Sequence, residues 1–421
     1  MKNARIWVVG FAAILMAIVT TMCMTVPVVM IPFMAASLQT SMTSISLYVS
    51  ISAVGTLISS FLLGALVKKI PIKVLIIAGG IMAGLLYVTI GSTTSLPIIY
   101  ATAFLQGIGN CIAGIAMAQI VLSQWFIKAF GTMMSFCVVG LMVCAAVLLP
   151  ILTSIIIANG YQIVSFWFGV CVAVIVALLG LFVIVDSPAR VGLKPLGYVE
   201  VAAGEGADQA AAHGGASVVS FTLKQAVKTS PFWIILIFML ISVTGSQGIG
   251  SQALNYYQSI GLDATTASFM LSLNAMTGMV FSLLAGIICD KKSPTHTAVL
   301  TIGFGAIAFL GAFIWSGFIG AVIAAVCFAG LSGSMVYAPM MMMRLFGTKD
   351  AGSLIGFGNG AGNLGSFLGP VLAASFFDMM GTYTYVYMGI GVALVFILLL
   401  SLKAGSKKTA ENLRAKESSQ S

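Results

Sequence analysis

Apolar residues in this chain come in long runs, broken by short polar stretches. The runs show neither the two-residue alternation of strands nor the one-sided stripe of a surface helix. A span needs roughly 20 apolar residues to cross a bilayer. The pattern predicts spans at Ile6–Ala36, Ile45–Val67, Val74–Gly91, Leu96–Leu122, Gly131–Ala158 and Ile163–Val185. It predicts six more at Pro231–Tyr256, Thr265–Cys289, Thr297–Trp315, Phe318–Met343, Ala351–Phe377 and Tyr383–Leu402. Pro27 and Pro32 predict a bend in the first. Residues 187–230 read as a linker, with a low-complexity Ala/Gly segment around His213.

Composition agrees. The 421 residues are 60% hydrophobic and 7% charged, against about 25% charged in soluble domains. All 19 Lys and Arg fall in segments that lie on one side if the N-terminus is cytoplasmic. Positive residues favour the inner side, so both termini and the linker are expected on the cytoplasmic side of a cell membrane. The net charge of +9 then faces anionic lipid rather than nucleic acid. The basic tail, residues 403–421, is expected to be a solvated or lipid-skimming helix.

The chain carries signs of duplication. Gly286-Ile-Ile-Cys-Asp290-Lys291-Lys292 closes the eighth run, and Gly64-Ala-Leu-Val-Lys68-Lys69 closes the second, half a chain earlier. Gly140 and Pro150 recur as Gly360 and Pro370 at nearly the same offset. The glycine allows close helix contact. Asp290 can sit near the positive N-terminus of a neighbouring helix or pair with a cation. These residues are the candidate gating loops. The domain reading is a six-helix half (1–186), the linker (187–230), a second half (231–402) and the tail (403–421).

Gly286 through Lys291 resembles the G-x-x-x-D-[RK] loop signature of the major facilitator superfamily. The first copy departs from it, with Lys68 where aspartate is usual. Other segments resemble the oxalate/formate antiporter and monocarboxylate transporter branch. They are Trp125-Phe126 with Gly131, Pro188 to Gly197, Leu223–Trp233, Leu345-Phe-Gly347, Gly369-Pro370 and Asp378 to Tyr383. The resemblance implies an all-α integral membrane fold of twelve helices in two pseudo-symmetric halves. It also implies a carrier for a small organic solute, a mono- or dicarboxylate first, working as a monomer in the lipid bilayer. Ser282 stands where branch relatives place an arginine, and no cation lies near Asn359. A neutral or zwitterionic metabolite is therefore the alternative, and a transporter-like sensor a further one.

Polar residues inside the spans are uncharged. Thr21 and Thr25, Gln106 and Asn110, Gln247 and Asn255, Asn274 and Ser282, Tyr337, and Asn359 and Asn363 are the candidates for a central binding cavity. Polar groups at this depth need a partner or a wet cavity; helix–helix hydrogen bonding is the competing role. The glycines at 356, 358, 360 and 362, and Gly107, Gly109 and Gly114, read as tight helix contacts rather than a nucleotide loop. The run Met340–Met343 reads as packing. Seven cysteines without a CxxC pair argue against metal or redox chemistry. No cofactor and no enzymatic activity are expected.

Overall fold

The computed structural model describes residues 2–40, 42–126, 129–185, 188–196, 221–292, 294–311, 317–347, 350–380 and 384–404. The described residues are almost entirely helical, and every expected span is helical along nearly all of its described length. Among the described residues, nine helices are long and apolar enough to cross a membrane. The linker segment 197–220, with His213, and the tail beyond Ala404 lie outside the described residues.

Several spans are broken where the sequence removes or redirects a helical hydrogen bond. The first divides at Val26 into Lys2–Thr25 and Pro27–Leu38. Pro27 has no N–H to return to Cys23, four residues back. The fourth divides at Gly114, with φ −94° and ψ −148°, into Leu96–Ala113 and Ile115–Trp125. Gly114 was expected to make a helix contact; it is instead a break. An added Cβ there would meet its own chain's Asn110 carbonyl at 2.1 Å. The tenth span passes through a 3-10 segment, Ala329–Gly333, between Gly317–Phe328 and Ser334–Phe346.

Chain contacts divide the protein into two compact units. One holds residues 1–126 and 136–196, the other 127–135 and 197–421. The fifth helix, Phe130–Asn159, therefore begins with the second unit and continues in the first.

Glycines let helices pack closely inside each unit. An added Cβ would lie 2.0 Å from the Ser52 carbonyl oxygen at Gly107 and 2.5 Å from that of Gly79 at Gly109. These contacts seat the fourth span on the second and third. In the second unit the eleventh helix, Ala351–Met380, packs on the seventh, Ser230–Ser259, through Gly365 and Gly369. This contact lies farther along than the expected run; the nearest atoms to a Cβ at Gly358 and Gly362 are side-chain methyls, of Met342 at 3.9 Å and Met239 at 3.2 Å.

The ends of the linker are held. In the first unit the Leu196 N–H donates to the Trp125 carbonyl at 2.9 Å, and Trp125 Nε1 donates to the Val185 carbonyl at 3.1 Å. In the second the Phe221 N–H donates to the Phe346 carbonyl at 2.9 Å, and the Leu223 N–H to Asp350 Oδ2 at 2.8 Å. The accepting carbonyls, Trp125 and Phe346, lie half a chain apart, within one residue of the offset between Gly140 and Gly360. The aromatic side chains explain the hold: Phe221 and Phe232 pack against Phe346.

Candidate functional site

The loop signature at the end of the eighth helix, Ala264–Lys291, forms a helix cap within the second unit. Asp290 Oδ1 accepts from the Gly131 N–H at 2.8 Å; Oδ2 accepts from the Thr132 N–H at 2.7 Å and from the Thr132 hydroxyl at 2.6 Å. The first N–H groups of a helix have no partner in their own chain and carry partial positive charge. A carboxylate satisfies both needs. The approach is allowed by two glycines: a Cβ at Gly286 would lie 2.5 Å from the Gly131 carbonyl oxygen, and one at Gly131 would lie 2.8 Å from Asp290 Oδ1. Of the two roles the sequence leaves open for Asp290, the helix N-terminus is the one formed, and the helix is the fifth. Lys291 lies exposed beside it. In the first copy Gly64 is buried, and Lys68 and Lys69 are exposed in the last turn of Met42–Lys69.

Asp263 caps the start of the eighth helix, accepting from the Thr265 and Thr266 N–H groups at 3.1 and 3.2 Å. The Thr266 hydroxyl, first among its hydrogen bonds, holds this carboxyl below the usual carboxylate range.

In the first unit the polar candidates separate into two kinds. Gln106 is buried, and both ends of its amide are bonded: its Nε2 donates to the Cys23 carbonyl at 3.2 Å, and its Oε1 accepts from Ser52. Tyr87 donates to the same Cys23 carbonyl. That carbonyl is the one Pro27 leaves without an N–H. Gln106 therefore repairs a proline break across helices, as a polar group in hydrocarbon requires. Asn110 and Thr21 are different. Each is half-buried, and Asn110 Oδ1 and Thr21 Oγ1 are buried atoms with no hydrogen-bond partner. The first and fourth spans touch at Cys23–Gln106 and at Thr20–Ala113, where the Thr20 hydroxyl donates at 3.0 Å. In sequence Thr21 falls between Thr20 and Cys23, and Asn110 between Gln106 and Ala113. Thr25, also half-buried, is one turn beyond Thr21.

In the second unit Gln247 is exposed on the seventh helix; the side chain of Asn255 lies outside the described residues. Asn274 is half-buried, and its Nδ2 donates to the Ala325 carbonyl at 2.8 Å. Asn359 and Asn363 are half-buried on the eleventh helix, and Asn359 Nδ2 donates to the Ile355 carbonyl at 3.0 Å. Asn359 borders a void of about 10 Å³ beside Pro339 and Met342, room for one water at most. Ser282 and Tyr337 are fully buried. The Ser282 backbone carbonyl accepts from the Ser135 hydroxyl at 2.6 Å, and Tyr337 packs on Phe238 with ring centroids 4.4 Å apart. Of the run Met340–Met343, Met340, Met341 and Met342 are buried and Met343 half-buried, as packing requires.

Among the described residues no group of three His, Cys, Asp or Glu could hold a metal ion. The site has hydrogen-bonding groups, broken helices and a capped helix start. These are the parts of a membrane carrier. The Major Facilitator Superfamily profile matches residues 13–343 and 245–420, and the chain belongs to that superfamily. It is therefore a membrane solute transporter with the twelve-helix fold expected from its sequence. No curated protein matches the sequence. The fold resembles the proton:xylose symporter XylE bound to 6-bromo-6-deoxy-D-glucose, at TM-score 0.74 and 14% identity over 99% of each chain. It also resembles the transporter FucP in its outward conformation, at TM-score 0.71 and 13% identity, over 94% of this chain and 99% of that one.

Proposed function

We propose that the protein carries a small polar organic solute across the cell membrane by alternating access, recognising it through uncharged amide and hydroxyl groups. The observation that supports this most is that Asn110 Oδ1 and Thr21 Oγ1, on two spans joined by interhelical hydrogen bonds, are buried atoms without a hydrogen-bond partner. An unsatisfied buried polar group costs about 1–3 kcal/mol. A solute that donates a hydrogen bond to Asn110 Oδ1 relieves that cost. A hydroxylated or amino-bearing molecule can do so; a bare carboxylate offers only acceptors. The polar candidates within the spans contain no cation to offset a buried negative charge. Both considerations favour a neutral or zwitterionic metabolite. The branch resemblance favours an organic acid, and hydroxy acids satisfy both lines.

A thermal-shift screen of the purified protein tests this directly, since a ligand of the folded state raises stability by RT ln(1 + [L]/Kd). Neutral polyols, amino acids and hydroxy acids should stabilise it more than formate, acetate or oxalate. In reconstituted vesicles Asn110→Leu and Asn363→Leu should cut transport of the stabilising solute at least tenfold, with normal expression and folding. Transport equal to the parent in both variants would make these residues packing and end the reading. Saturable ligand binding without any flux would favour the sensor.

A further inference from the structure

The first unit contains an apolar groove of about 430 Å³ walled by the first, fifth and sixth spans. It runs along the fifth helix from Cys144 through Leu148 to Asn159, with Trp167, Cys171 and Ile175 on the facing sixth span. Charged residues do not line it. The fifth helix leaves room for it, being mostly unburied where the fourth span is mostly buried.

We propose that this groove holds one acyl chain of a membrane phospholipid. Its mouth continues the lipid-facing surface: Trp167 is 61% exposed and Ile163 57%, beside Ile157 at 71%. An occupant reached from hydrocarbon through apolar walls is itself uncharged and apolar along its length. The shape narrows the class. Cys144 to Asn159 spans 15 residues, or about 22 Å at 1.5 Å per residue. A groove of about 430 Å³ drawn out over that length suits one extended hydrocarbon chain, with carbon contacts at about 3.5–4.0 Å. Asn159, at the turn into the sixth span, is the polar lining residue at the end where a headgroup begins.

The test uses the intact protein in nanodiscs containing a phospholipid with a photoactivatable diazirine midway along one acyl chain. Adducts should be at least fivefold more abundant on peptides spanning Cys144–Cys171 than on the twelfth span around Val392 and Phe396, which are equally exposed at 61% and 63%. Filling the groove by Leu148→Trp, or from its rim by Cys171→Trp, should lower the groove adducts several-fold and leave the twelfth-span adducts unchanged. Equal labelling of the two regions in the parent would overturn the proposal. So would unchanged groove labelling in both filled variants. A thiol cross-link between two copies through Cys171, with no enrichment of lipid adducts, would assign the groove to a second copy instead.

Discussion

Asp290 shows how one side chain can decide a local structure. Its two carboxylate oxygens take two N–H groups and a hydroxyl at the start of the fifth helix. Asp290→Ala leaves those N–H groups to water or to nothing, a loss in the range of about 0.5–2 kcal/mol for a helix cap. Asp290→Asn keeps one acceptor oxygen and should lose less. Thermal unfolding of the two variants checks the order, and equal melting temperatures with the parent would show that the cap is not formed. Much of this was readable in advance: glycine then aspartate at the end of an apolar run announces an acceptor at a helix end. Ser282 and Tyr337 read as cavity residues; both are fully buried, and the Ser282 hydroxyl, like Asn110 Oδ1, has no hydrogen-bond partner. Their burial depends on neighbours far along the chain, such as Ser135 and Phe238, which no local pattern reveals.

At the scale of the helix, breaks and repairs come in pairs. Pro27 removes the N–H that Cys23 needs, and Gln106 and Tyr87 supply replacements from other spans. The proline and the bend were legible; the repair was not, because Gln106 shares its helix face with Asn110 and looked like part of the same lining. A double-mutant cycle separates the two roles. Gln106→Leu alone should destabilise the protein by about 0.6–1.7 kcal/mol. In a Pro27→Ala background the helix satisfies its own carbonyl, so the same change should cost measurably less. Additive losses in unfolding by denaturant would contradict the repair. The glycines at 107 and 109 were correctly read as contacts, whereas Gly114 was not, since a break and a contact both call for the smallest residue.

For the whole molecule, the twelve apolar runs and their repetition half a chain apart made the fold legible. The anchors at both linker ends were less so, because single hydrogen bonds such as Leu196 to Trp125 leave no pattern in hydropathy. The one-sided distribution of all 19 basic residues predicts a topology with both termini cytoplasmic. In a cysteine-free background, single cysteines at Thr93 and Asn159 should react with an impermeant thiol reagent from outside, and one at Ser217 should not. The opposite labelling would invert the orientation. The charge distribution also bears on energy coupling. All ten acidic residues fall in loops, span ends or the tail, and both histidines lie outside the expected spans. A proton symporter commonly needs a titrating side chain within the membrane. We therefore expect exchange or facilitated diffusion.

Counterflow in proteoliposomes tests the central claim most directly. Vesicles are loaded with unlabelled solute chosen by the thermal-shift screen, and uptake of the same labelled, net-uncharged solute is followed with no pH gradient. Uptake should be saturable, should rise severalfold with internal solute, and should not change when an inward proton gradient is imposed. Asn110→Leu should abolish the rise. Uptake no faster than in protein-free liposomes would contradict a carrier, and uphill accumulation that collapses with a protonophore would contradict the proposed coupling.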